Sequence, residues 1–495
     1  MTELQDKAML LEQMEQGTLI AQASTTDKWE VLPYNAPILP IHAALLRTGK
    51  ILFFCGSGND PSRLNTPYNS VVWDVKNKTF SSQSPPLDST GEPIDLFCPG
   101  HSFRSEGDLM VAGGTLRYDP FYGSPSALFF DPSTEKWVKK PSMNNGRWYP
   151  TVLTLGSGRI LALSGQDKNG NLNKQPEIYS VSFANGWNAF PATSSFPQYA
   201  HLFLLSNGKI FYSGAQMGGN NGVTPRILTL PETFTQKITE QAVSGLQASG
   251  SGNQGASVLL PPAQDQKVMI LGGGTSTTAT NRVNIVDLKA TNPTYVAAPS
   301  LNNARMHHSA VILPDRTVFV CNGSKMSEDT SQSMLPAEIY NPATNTWKIV
   351  AKQSVPRVYH SVALLLPDGR VVAAGGNPNR TVNELRLEIY SPAYISRSRP
   401  TIGSAPTTLS YGLKFTIQTP QASNIKWVSL IRPSATTHSC DTEQRLVDVP
   451  INSRSATSLQ ATVTNNRNIA PPGWYMLFIT DNNETPSVAT WTRLF

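Results

Sequence analysis

Arg357-Val358-Tyr359-His360-Ser361-Val362-Ala363-Leu364-Leu365-Leu366-Pro367-Asp368-Gly369-Arg370-Val371-Val372-Ala373-Ala374-Gly375-Gly376 reads as an apolar strand, a tight turn at Asp368-Gly369, a second apolar strand and a paired-glycine break. A phenol and an imidazole stand side by side at its entrance. Regular strand geometry sends adjacent side chains to opposite faces. If Tyr359 and His360 serve one site, they must sit where the strand is only beginning and the backbone is still turning.

The same element recurs seven times. It opens at His42-Ala43, His101-Ser102, Thr151-Val152, His201-Leu202, Ala256-Ser257, His308-Ser309 and in the stretch above, and each copy closes on glycine. The spacing is about 50 residues, the period of kelch repeats, in which each unit is a four-stranded propeller blade. A third strand follows most copies, as in Ala337-Glu338-Ile339-Tyr340, and a fourth carries a tryptophan: Trp137, Trp187 and Trp347. The seventh copy has its third strand at Leu387-Glu388-Ile389-Tyr390 but no tryptophan strand after it. The missing piece stands at the other end of the chain, Asp27-Lys28-Trp29-Glu30-Val31-Leu32. The expected ring therefore spans 23–398 and is closed by its N-terminal strand, which hides edges that would otherwise template aggregation.

From about Arg399 the pattern changes to short alternating runs such as Leu413-Lys414-Phe415-Thr416-Ile417 and Trp474-Tyr475-Met476-Leu477-Phe478, set between Pro, Asn and Gly turns. This predicts an Ig-like β-sandwich over 399–495. Residues 1–22 are expected to form a short amphipathic helix or a disordered leader. The fold class is all-β: a seven-bladed kelch-type β-propeller followed by a small sandwich.

Composition agrees. Charged residues make up only 15%, while Gly 35 and Pro 38 supply many turns. The formal charge of +6 is spread without a basic stripe, so no nucleic-acid partner is expected. No apolar run approaches the roughly 20 residues that span a bilayer. The N-terminus is polar and acidic where a signal peptide would be basic and then apolar. Four cysteines are too few for a disulfide scaffold, and Cys55 and Cys321 read as small core residues.

Cys98, in Phe97-Cys98-Pro99-Gly100, stands at the entrance to the second copy. Tyr149, in Gly146-Arg147-Trp148-Tyr149-Pro150, stands at the entrance to the third, and Tyr359-His360 opens the seventh. Equivalent positions in a propeller converge on one end of its axis. His438 lies in a polar loop of the sandwich long enough to reach toward the ring. Copper(II) accepts such nitrogen and oxygen donors in a tetragonal arrangement. His42, His101, His201 and His308 occupy equivalent strand starts and read as packing or hydrogen-bonding residues. Cys440 reads as a buried spectator.

Together these segments resemble the copper radical oxidases, the galactose oxidase and glyoxal oxidase family, over nearly the whole chain. The resemblance implies one copper ion held by Tyr149, Tyr359, His360 and His438, with Cys98 joined to Tyr149 by a thioether. It implies Tyr149 as the radical-bearing ligand and Tyr359 as general base. The implied reaction is two-electron oxidation of a small aldehyde or primary alcohol, with O2 reduced to H2O2. Arg147-Trp148-Tyr149-Pro150-Thr151 is closer to the glyoxal oxidase side, and no room is expected for the carbohydrate-binding N-terminal domain of some members. The resemblance also implies secretion, although no signal peptide is read here, and a monomer is expected. In galactose oxidase an indole supplied from shortly after the crosslinked tyrosine stacks over it. Here nothing comparable follows Tyr149 before Trp187, and Trp148, as its neighbour, is expected to point elsewhere. Arg117-Tyr118-Asp119-Pro120-Phe121-Tyr122-Gly123 is a candidate rim. The competing reading is a non-catalytic kelch propeller that binds a protein or glycan. A third is a copper protein whose altered surroundings have lost radical activity.

Overall fold

The computed structural model describes residues 27–495 apart from 65–69, 219–222, 248–251, 276 and 381. The helix or leader expected over 1–22 therefore lies outside the described residues. Regular structure among the described residues consists of strands and short 3-10 turns. No helix among them is long and apolar enough to cross a membrane.

Seven sheets of the propeller type follow one another, each with four strands from the ring. In the last blade the opening stretch becomes Ser361–Leu365 and Val371–Gly375, antiparallel, with Ser361 opposite Gly375 and Leu365 opposite Val371. Both strands are buried along their whole length, which is why they read as apolar runs and not as alternation. Outer strands such as Lys136–Lys140 keep an exposed face. The last blade continues through Arg386–Ser391 to Lys28–Asn35, where Trp29 stands opposite Tyr390. The Trp29 indole then donates to the Ala351 carbonyl of blade six at 2.9 Å. Trp187 and Trp347 make the same kind of bond, to the carbonyls of Pro141 and Pro299.

Glycine closes each element for a steric reason. Gly375 has φ of 77°, and a Cβ there would meet the Pro40 carbonyl oxygen at 2.3 Å and that of His360 at 2.5 Å. The backbone of one blade thus touches the entrance of the next with no room for a side chain. Buried ion pairs brace three of the entrances: Arg147–Glu177 at 2.9 Å, Arg305–Glu338 at 2.8 Å and Arg357–Glu388 at 3.4 Å, all with side chains fully buried.

The C-terminal domain is a sandwich of a five-stranded and a three-stranded sheet, with Val428, Leu430, Leu459, Ala461, Leu477 and Ile479 in its core. It does not merely abut the ring. The polar loop expected around His438 is instead a β-hairpin of Ala435–Thr437 and Cys440–Asp441. It joins the inner edge of blade one, with Thr437 opposite His42 and Ala435 opposite Ala44. Blade one thereby becomes a six-stranded sheet. Beyond the hairpin, Gln444 bonds Ala310 and Ile312 of blade six, and Thr442 bonds the Val152 carbonyl of blade three.

Candidate metal centre

One backbone feature builds the centre. At the entrance to the inner strand, six blades carry a non-glycine residue with positive φ: Cys98 (61°), Tyr149 (63°), Tyr199 (43°), Gln254 (56°), His307 (58°, the second residue of its strand) and His360 (63°). This left-handed conformation is uncommon for such residues and is a feature of functional sites. It breaks strand alternation and turns these entrances toward the axis. Neighbouring blades are linked at these residues. Tyr149 N–H donates to the Cys98 carbonyl and Tyr199 N–H to the Tyr149 carbonyl, both at 3.0 Å.

Blade seven departs from the pattern by one residue. The braced arginine precedes the left-handed residue by two positions at Arg147/Tyr149 and Arg305/His307, but by three at Arg357/His360. Tyr359 is the extra residue. Its ring lies on that of His360, with centroids 3.7 Å apart and planes at 25°. A single entrance thus delivers two side chains to one place.

His438 arrives from the opposite direction. It and Ser439 form the two-residue hairpin turn, with φ of 49° and 64°. Two successive positive φ angles are the signature of the tight I′ turn, which ordinarily favours Asn and Gly. The His438 Nε2 lies 3.1 Å from the Tyr149 hydroxyl and 3.8 Å from the Cys98 sulfur. The Tyr149 and Tyr359 hydroxyls are in hydrogen-bond contact. The ligating atoms of Cys98, His360 and His438 all lie within 4.8 Å of one another. All five predicted side chains therefore meet.

Burial sets the charge state. It pushes the phenols of Tyr149 and Tyr359 and the thiol of Cys98 far above their ordinary ranges. It holds His438 well below its usual value and His360 down at about 3. With no ion bound, the five donors of the centre are held neutral. His360 Nε2 is buried with no hydrogen-bond partner at all. An orphaned imidazole nitrogen beside a second imidazole and two touching phenols fits a divalent ion of nitrogen and oxygen preference, copper(II) among them. Binding such an ion would release protons from the phenols.

Trp148 does not point elsewhere. Its indole stacks on Tyr149, with centroids 3.8 Å apart and planes at 15°. Phe121 stacks in turn on Trp148 at 3.9 Å and 10°. The left-handed turn at Tyr149 removes the alternation that would have separated neighbours, so the indole comes from the residue before the tyrosine. Phe121 comes from the 117–123 insertion, whose Asp119 pairs with Arg380 at 2.8 Å. Above the phenols is a cavity of about 330 Å³ lined by Asn59, Phe121, Trp148, Tyr149, Glu328, Tyr359, Asn379 and Arg380. That volume suits a small molecule.

Several neighbours were not singled out from sequence. Tyr199 packs on Tyr149 at 4.6 Å and on His438 at 4.8 Å, and donates its hydroxyl proton to the Pro99 carbonyl at 2.8 Å. His307 lies 5.2 Å from Tyr359, ring to ring. Both share the repeat slot of Cys98 and Tyr149, a signal the period could have supplied. Among the four histidines read as structural, His42 accepts the Cys98 N–H at 3.2 Å and stacks on Phe54. Cys440, next to the hairpin turn, is a buried free thiol.

A ring of seven blades whose axis gathers two phenols, two imidazoles and a thiol beneath a small cavity has the layout of a mononuclear metal centre. Residues 41–394 match the family described as Glyoxal oxidase N-terminus, and residues 399–494 match Galactose oxidase-like, Early set domain. The chain belongs to the copper radical oxidase family, galactose oxidase- and glyoxal oxidase-like. It is similar to a galactose oxidase of Gibberella zeae, 28% identical over 499 residues that cover 93% of this chain and 69% of that protein. An aldehyde oxidase GLOX of Vitis pseudoreticulata is 25% identical over 532 residues, 97% of this chain and 99% of that one. Among solved structures, a fungal alcohol oxidase of the AA5 family in complex with copper has the same fold. Its TM-score is 0.80 at 23% identity, covering 95% of this chain and 100% of that one.

Proposed function

We propose that the protein is a copper-dependent oxidase that converts a small aldehyde, as its hydrate, or a primary alcohol by two-electron oxidation, with O2 reduced to H2O2. The observation that carries this is the meeting of Tyr149, Tyr359, His360, His438 and Cys98 directly beneath a cavity of small-molecule size. Tyr149, Tyr359, His360 and His438 would hold the ion. When bound, copper supplies a one-electron couple.

The substrate gives up two electrons, so a second acceptor is required, and Tyr149 is the group placed for it. As a phenoxyl radical, Tyr149 takes one electron and returns to phenolate. A thioether from Cys98, formed with loss of two hydrogens to O2, spreads the unpaired spin and lowers the potential. Trp148 covers one face of that ring and Tyr199 packs near it. Tyr359 is half-buried at the cavity floor, where it would receive the substrate hydroxyl proton. Phe121 and Trp148 form an aromatic wall, while Glu328, Asn379 and Arg380 supply the polar rim. Overall, RCH2OH and O2 become RCHO and H2O2.

The test is to load the purified protein with copper in air, map its peptides and measure peroxide over a panel of aldehydes, primary alcohols and sugars. The expected result is a Cys98–Tyr149 peptide lighter by two hydrogens and peroxide output from at least one substrate. An unlinked map with no peroxide would sink the proposal.

A further inference from the structure

Both imidazoles at the centre are held by a partner on Nδ1, and in each case the chemistry of the partner fixes which nitrogen carries the proton. His438 Nδ1 lies 2.6 Å from the Thr437 hydroxyl. That hydroxyl has one proton. The Ile41 carbonyl, 3.2 Å away, can only accept. Thr437 donates that proton to the Ile41 carbonyl, which leaves its oxygen to accept from His438, so Nδ1 carries the hydrogen. Nε2 is then the bare nitrogen, and it is the atom near the Tyr149 hydroxyl and Cys98 sulfur.

The same logic runs through an amide at His360. Its Nδ1 lies 3.4 Å from Asn377 Oδ1. The orientation of the Asn377 amide is settled by its nitrogen, which donates to the Val382 carbonyl at 3.2 Å and to Asn383 Oδ1 at 2.8 Å. A carbonyl cannot donate, so the Asn377 oxygen must be the end that faces His360. It also accepts from Asn59 at 3.2 Å. His360 therefore donates from Nδ1, and its Nε2, buried and without a partner, is left bare.

We propose that Asn377 and Thr437 are positioning residues that lock His360 and His438 in the Nδ1–H tautomer, so that each presents Nε2 to the metal. Outer partners of this kind fix the ring orientation and raise ligand basicity. Both locks are anchored on blade one, through Asn59 and the Ile41 carbonyl, although His360 belongs to blade seven and His438 to the sandwich. The donor geometry is thus set at the seam where the ring closes and the hairpin enters. This inference rests on the copper reading for its consequence but not for its first measurement.

That measurement is long-range proton–nitrogen NMR of copper-free protein with labelled histidine, which reads the tautomer directly. Both His360 and His438 are expected as Nδ1–H. A proton on Nε2 of either in the wild type overturns the proposal. Copper affinity is then measured by competition in Thr437→Val, Thr437→Ser and Asn377→Leu. Thr437→Val and Asn377→Leu are expected to lose between about tenfold and a hundredfold, and Thr437→Ser, which keeps the acceptor, to bind within about threefold of wild type. Equal affinity in the valine and serine variants also overturns it. Should the wild type take up no copper, the copper reading fails while the tautomer result still decides the lock.

Discussion

The indole of Trp148 lies flat on the phenol ring of Tyr149, its own successor in the chain, with centroids 3.8 Å apart and planes at 15°. In extended backbone the two would face opposite ways. A φ of 63° at Tyr149 folds them together. The shield of the proposed radical is therefore built into the same short segment as the ligand.

Removing that shield should shorten the life of the radical. In copper-loaded, oxidised Trp148→Ala, the radical absorption is expected to decay at least about tenfold faster than in wild type. A stacked aromatic pair is worth about 0.5–1.5 kcal/mol beyond its burial. Trp148→Phe, which keeps a ring, should fall between. Identical decay in all three would place the shield elsewhere.

The two tyrosines should separate by their roles. Tyr359→Phe removes the proton acceptor at the cavity floor, and general-base removal lowers turnover by roughly 10²–10⁴-fold. The crosslink should still form, since Cys98 and Tyr149 are untouched. Cys98→Ser should instead keep the metal and lose the two-hydrogen mass defect. Peptide mapping beside copper stoichiometry distinguishes the two patterns.

Acid should unfold the copper-free protein cooperatively. All seven histidines titrate below their ordinary value because burial penalises the imidazolium. His101, His201, His307 and His360 stand at about 3, and His42, His308 and His438 well below normal. Between pH 6.5 and about 3 the unfolded chain binds these protons and the folded one does not, so stability falls as pH falls. Asp95, Asp315 and Asp441, raised by burial to about 6, act in the opposite sense between about pH 3.8 and 6. Asp108 and Glu328 are raised as well, but the seven histidines outnumber the raised carboxylates, so near pH 5 unfolding takes up a net number of protons. Calorimetry in two buffers of different ionisation heat reads that number, and a melting temperature flat from pH 7 to 4.5 would contradict it.

The hairpin that carries His438 should depend on a buried ion pair. Arg432 Nε lies 2.5 Å from Glu443, with both side chains almost fully buried. The other Glu443 oxygen bonds Ser102 of blade two, and Arg432 also donates to the Phe103 carbonyl. Glu443→Ala leaves a buried guanidinium without its partner, a loss of roughly 3–5 kcal/mol. The double variant Arg432→Met/Glu443→Leu should recover much of that stability. Denaturant melts of the single and double variants give the comparison.

The amino-acid sequence by itself determined the repeat period, the apolar inner strands, the glycine breaks and the change of pattern near Arg399, because burial on both faces and tight turns write directly into local composition. It also carried the four side chains that the ring brings to the centre, Cys98, Tyr149, Tyr359 and His360, since equivalent positions in a ring share an end of its axis. Only the tertiary structure decided that Trp148 covers Tyr149 and that Tyr359 and His360 share a face, because a positive φ at a tyrosine or histidine leaves no mark in residue type. Tertiary structure alone also seated His438. Its hairpin pairs with a strand whose partner residues are distant in the chain, Thr437 and Ile41 being 396 positions apart, and hydrogen bonds of that reach follow from how the sandwich docks on the ring and not from any local pattern.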